Sequence, residues 1–221
     1  MPARLGFSDD LESLRLQVEV MALLVADSVT GARRILDEPN PEIAAQLVEA
    51  DDAIDEMHVS LLEQCYTMLA REAPVASDLR LIVSVIRVLH ELERIGDLAL
   101  RVAKAVDDIP LVACHPEVFE VLRALADNVA GRFLAVQRGW SAASLEPLAE
   151  LDDIDPLIAF ADPLVSRLMA LSGDDAVRVA LAAMGVGRSF DRIGDHTEIM
   201  ASRLRYLVTG DPSYLAYEVT W

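Results

Sequence analysis

The sequence predicts an all-α fold in which a three-helix unit is used twice, giving two pseudo-symmetric three-helix bundles. Three observations carry that prediction. Apolar residues recur every three or four positions through long stretches, and turn formers are few, with 10 glycines and 10 prolines in 221 residues. Hydrophobic residues make up 53% of the chain and aromatics only 5%, so Ala, Leu and Val fill the interior, which suits close-packed helices better than a β-sandwich. Finally, one five-residue string returns: Glu93-Arg94-Ile95-Gly96-Asp97 reappears as Asp191-Arg192-Ile193-Gly194-Asp195.

The first helix is expected from about Asp9 to Leu36, with Ser8 as its cap and Leu14, Val18, Met21, Val25 and Val29 as the inward stripe. Pro39-Asn40-Pro41 separates it from the second. Asn40 can cap, and Pro41 suits the first helical position, where a missing amide costs nothing. The second helix, Pro41 to about Arg71, carries Ile54, Leu61, Cys65, Met68 and Leu69 as core and is closed by Pro74. The third starts at Ser77-Asp78 and ends at Ile109-Pro110. In it Ile82, Ile86, Leu89, Glu93 and Asp97 keep a spacing of three and four, so the acids continue an apolar stripe. Carboxylates so placed need a partner, since an unpaired buried charge is costly. Gly96 lowers helix propensity and fits a place where another backbone comes close.

His115-Pro116 opens the second half. Asp27, Val29 and Gly31 match Asp127, Val129 and Gly131; Asp52, Ile54 and Asp55 match Asp152, Ile154 and Asp155; Arg80 matches Arg178. The nearly constant offset divides the chain into repeats 1–109 and 110–221, with a two-residue deletion near Leu171-Ser172-Gly173-Asp174. The second copy has drifted. Pro147, Pro156 and Pro163 fall where the fifth helix is expected and predict a kink or a late start. Its sixth helix keeps Asp191 and Asp195 and adds His196. A short tail follows Gly210-Asp211-Pro212, with Tyr214, Tyr217 and Trp221 expected to pack on the body or on a second subunit.

Charge bounds the partners. The formal net charge is −18, which argues against a nucleic-acid surface and fits metal cations or basic protein faces. No apolar run approaches the ~20 residues of a membrane span, and the N-terminal residues do not resemble a signal peptide, so no membrane insertion and a cytoplasmic location are expected. Cys65 and Cys114 belong to no C-x-x-C and are expected as reduced core residues.

The acids carry the chemistry. Asp51 and Asp55, Glu93 and Asp97, and Asp191 and Asp195 are i, i+4 pairs, each on one helix face one turn apart. Such pairs suit a hard cation such as Mg²⁺, Ca²⁺ or Mn²⁺, and Fe or Zn if His58 joins from one turn past Asp55. In the second copy Leu151 stands where Asp51 stands in the first. Asp152 and Asp155 remain as an i, i+3 pair, and His196 is a possible additional ligand. A purely structural reading has the acids pair with Arg94 and Arg192 instead. A carboxylate di-metal enzyme would use Glu-x-x-His motifs, and the chain has only Asp55-x-x-His58 and a reversed His90-x-x-Glu93, so no catalytic residue is assigned.

With these motifs together, the chain resembles the PhoU family over about residues 8–208. The resemblance rests on the duplicated unit, on Asp51-x-x-x-Asp55, on Glu93-Arg-Ile-Gly-Asp97 and Asp191-Arg-Ile-Gly-Asp195, and on Ala76-Ser77-Asp78-Leu79-Arg80-Leu81. It implies an elongated helical molecule, metal ions on paired acid-x-x-x-Asp motifs, and a regulator of phosphate uptake and phosphate-starvation signalling. It further implies a homodimer whose partners are the phosphate ABC transporter ATPase and the phosphate sensor histidine kinase.

Overall fold

The computed structural model describes residues 2–153 and 158–219. Asp155, Pro156 and Trp221 fall outside them, and the side chains of Asp152 and Tyr217 are likewise outside what is described. The described residues form seven α-helices and two 3₁₀ segments with no strand among them, as the sequence predicts. The helices are α1 (Pro2–Asp37), α2 (Pro41–Glu72), α3 (Ala76–Ala103), α4 (Ile109–Ala113), α5 (Pro116–Ala142), α6 (Ile158–Met169) and α7 (Ala176–Thr209).

The boundaries follow local chemistry, with three corrections. α1 runs through Ser8 from Pro2, so Ser8 caps nothing. α2 starts as expected: the Asn40 side chain accepts from the Glu42 amide at 2.8 Å, and Pro41 occupies the first turn. It stops at Ala73, left-handed at φ 43°, ahead of Pro74. α3 ends at Ala103, earlier than the sequence indicates, and short turns lead to α4. In α4, Ile109 and Val112 are buried at i, i+3, which turns Cys114 outward; Cys65 is buried as expected and Cys114 is not. α7 closes on Gly210, left-handed at φ 76°, whose amide donates to the Tyr206 carbonyl at 2.8 Å.

In the core, α1 packs on α2, α3 and α5, and α7 packs on α3 and α5. Leu14, Val18, Met21, Val25 and Val29 are all buried, each burial worth about 1.5–3 kcal/mol. The helices that carry the recurring string, α3 and α7, make the most extensive contact in the molecule. Salt bridges brace the outer seams: Arg123 meets Asp37 at 2.8 Å, Arg132 meets Glu198 at 2.7 Å, and Arg33 bonds Asp127. The second half departs from the first. Where α2 has 32 residues, the corresponding stretch is a 3₁₀ segment (Glu146–Asp153) followed by the 12-residue α6 with Pro163 inside it. Both pieces pack on α5. The tail, a 3₁₀ segment over Pro212–Val219, lies on α7, where the Ser202 hydroxyl donates to the Tyr214 carbonyl.

Candidate functional site

α2 and α3 run antiparallel, and their acids meet across the seam. Asp51 lies against Asp97, and Asp55 against Glu93. One turn further along, His58 meets His90, with Nε2 and Nδ1 3.2 Å apart and the rings edge to face. Gly96 explains how the seam closes so tightly. A Cβ there would stand 3.2 Å from the Ile54 Cδ1 and 3.7 Å from an Asp51 carboxylate oxygen. The close approach at Gly96 is thus made by side chains of α2 and not by a backbone, which corrects the sequence expectation.

The electrostatics are only partly compensated. Partial burial raises the Asp51 carboxyl, and Asp55 and Asp97 raise it further, against a lowering by Lys104. Burial likewise raises Glu93; Arg94 opposes this, while Asp97 and Asp55 add to it. Burial and the neighbouring His90 lower His58. The cations of the motif do little to offset the acids. Arg94 reaches Asp97 at 3.4 Å and Glu93 at 3.5 Å from a side chain that is 60% exposed. Pairs so long and so solvated contribute roughly 0–1 kcal/mol. Asp51 and Asp55 have no ion pair among the described residues.

On α7, Asp195 is raised by burial and by Asp191, and Arg192 reaches it at only 3.4 Å. Of the acids expected from the other side, Asp155 lies outside the described residues. Leu151 is buried in the core, so its position offers packing where the first repeat offers a carboxylate. His196 points elsewhere: its Nδ1 lies 2.6 Å from Glu91 of α3, and Arg87 meets the same carboxylate at 2.9 Å.

Chemically, the α2/α3 seam offers hard oxygen donors that repel one another, three of them half-buried and Asp55 exposed, which fits a divalent cation. Among the described residues no three His, Cys, Asp or Glu side chains already converge into a cage. An ion would be taken by side chains that swing toward it across the seam. Of two further residues in this neighbourhood, the sequence reading named His90 only in the reversed His90-x-x-Glu93, not as a site residue, and missed Glu91. His90 faces His58 because the spacing Asp55-x-x-His58 is mirrored by His90-x-x-Glu93, the register of two antiparallel helices. Glu91 ties α3 to α7, and the signal was its i, i+4 relation to Arg87.

The family model described as PhoU domain matches residues 18–106. Over 215 residues the chain is 32% identical to the phosphate-specific transport system accessory protein PhoU homolog of Pseudomonas aeruginosa, covering 92% of this chain and 86% of that one. It is 28% identical over 211 residues to PhoU homolog 1 of Thermotoga maritima, covering 92% and 89%. The crystal structure of PhoU from Pseudomonas aeruginosa superposes with a TM-score of 0.81 at 30% identity, covering 93% of this chain and all of that one. A regulatory PhoU from Streptococcus pneumoniae, at 22% identity and a TM-score of 0.78, shares the fold.

Proposed function

This chain belongs to the PhoU family, and on that premise we propose that it is an accessory regulator of phosphate-specific transport that acts by metal-dependent protein contact and turns over no substrate. The relatives that cover nearly the whole chain are named accessory proteins of that transport system. The observation that carries the reading is the α2/α3 seam, where Asp51, Glu93 and Asp97 are half-buried and Asp55 is exposed beside them, with only weak cation partners. Such a seam costs stability unless a cation neutralises it. A bound Mg²⁺, Mn²⁺, Fe or Zn ion would supply positive charge and open coordination positions to a partner's carboxylates or phosphates. The four carboxylates hold the ion; Gly96 lets α2 close on α3; Arg94 is left free to swing outward. The second pair, Asp191 and Asp195, binds more weakly because Leu151 contributes no oxygen.

The partners proposed on the family resemblance are the transporter ATPase and the sensor histidine kinase, met on the cytoplasmic side, with a homodimer as the working unit. Among the described residues no helix is long and apolar enough to cross a membrane. The net charge of −18 draws such a protein toward basic surfaces, in an encounter that salt weakens. The test is complementation of a deletion strain with the Glu93→Ala, Asp97→Ala form. Deregulated phosphate-responsive expression from a well-folded variant is expected. Normal regulation and normal partner capture by that variant would overturn the reading.

A further inference from the structure

The chain carries 37 acidic side chains and 19 basic ones. Five of those basic residues nonetheless converge on one cleft of about 760 Å³ between α3 and α7. From α3 and the turn after it come Arg94, Arg101 and Lys104; from α7 come Arg188 and Arg192. Lys104 is the only lysine in the chain. The carboxylates in the cleft do not match them. Asp97 is approached by Arg94 at 3.4 Å, and Asp108 is held at 2.6 Å by Arg178, which does not line the cleft. Arg101, Lys104 and Arg188 have no ion-pair partner among the described residues. Helix ends account for part of this. Arg101 and Lys104 stand at the C-terminal end of α3, where a cation gains about 0.3–1 kcal/mol from the helix dipole. Arg188 and Arg192 lie in the middle of α7 and have no such role.

Cations gathered against the sign of the whole molecule repel one another, and an anion relieves that. We propose that this cleft is a binding site for an oligophosphate chain, an anion with enough charge to engage cations from both walls at once. The walls between the cations are aliphatic, Leu98 and Leu181 among them, and the one aromatic ring in the lining is His196. That ring is held by Glu91 at 2.6 Å and its side chain is only 19% exposed, so it offers a nucleobase little face to stack on. This favours the inorganic chain over a nucleotide. Guanidinium groups on opposite walls suit bidentate contact with phosphoryl oxygens, and Lys104 adds a point charge. Lys104 stands close enough to Asp51 to lower it and Asp97 borders the cleft, but Arg101 and Arg188 form no ion pair with the seam acids among the described residues, so substituting these two tests the cleft apart from the metal reading.

The experiment is calorimetric titration of the chelator-stripped, dialysed full-length chain with sodium tripolyphosphate, with ATP and orthophosphate as comparison arms. Tripolyphosphate is expected to bind, more weakly as salt rises, and ATP to bind no tighter. Arg101→Gln with Arg188→Gln should lower the affinity by about tenfold or more, while Arg101→Lys with Arg188→Lys keeps most of it. Thermal melts establish that both variants fold. An independent readout is Lys104 itself: tripolyphosphate should slow its modification by an amine-reactive reagent, followed by peptide mass. The proposal is overturned by an absence of tripolyphosphate binding, by equal affinity in the glutamine variant, or by unprotected Lys104. ATP binding more than about tenfold tighter than tripolyphosphate would overturn the inorganic assignment.

Discussion

Glu91→Ala tests how α3 is locked to α7. The Glu91 side chain is 3% exposed and accepts from Arg87 at 2.9 Å and from the His196 ring at 2.6 Å. Removing one partner of a fully buried ion pair costs about 3–5 kcal/mol. Arg87 is 37% exposed and can recover water, which brings the expected loss to about 2–3 kcal/mol. For a chain of 221 residues each kcal/mol moves the midpoint by about 2–4 °C, so a fall of about 4–12 °C is expected. The assay is thermal unfolding followed by circular dichroism, with Glu91→Gln beside it. The amide keeps the volume and one acceptor, so it should lose about half as much. Adding His196→Ala to each background closes a double-mutant cycle, with a coupling of about 0.5–3 kcal/mol. A Glu91→Ala midpoint within about 1 °C of wild type would refute the reasoning, because a group this buried and this paired cannot then be holding the two helices together.

Two further outcomes are expected. The first concerns pH in the metal-free protein. Raised folded values at Asp51, Glu93 and Asp195 mean that the native state binds protons more readily than the unfolded chain, so their contribution falls as pH climbs from about 4 through the folded values. Glu93→Gln should therefore raise the midpoint at neutral pH by about 0.4–2 °C, the scale of one relieved i, i+4 repulsion, and change nothing at low pH; an equal shift at both ends would contradict this. The second concerns thiols. Burial pushes Cys65 up to about 11 while Cys114 is exposed, so a thiol reagent at neutral pH should titrate one cysteine in the native protein and both after unfolding.

Much of the fold was legible because burial follows the helical period. The Leu14-to-Val29 stripe, the Asn40-Pro41 start and the glycine stop at Gly210 are decided within a few residues. Ser8 misled because a capping side chain is equally compatible with a helix interior when the preceding residues continue the helix, as Gly6 and Phe7 do here. Leu79 and Val83 are apolar at helical spacing yet 41% and 42% exposed, since the period alone does not say where neighbouring helices stop. The acid pairs were legible one helix at a time, and their meeting across the seam was implicit in the mirrored Asp–His and His–Glu spacings. The basic cleft was not legible at all. Its cations come from segments about ninety residues apart, and only the packing of α3 on α7 brings them together.

The α2/α3 carboxylate seam is proposed to take a cation. The direct measurement is elemental analysis of wild type and of the Glu93→Ala, Asp97→Ala variant, both purified without chelator, followed by metal titration of each. Wild type should retain metal, and a hundredfold excess over the dissociation constant should add about 2.7 kcal/mol of stability. The variant should lose the tighter site, and only the weaker pair at Asp191 and Asp195 should remain. Equal metal content and equal stabilisation in the two proteins would contradict the claim.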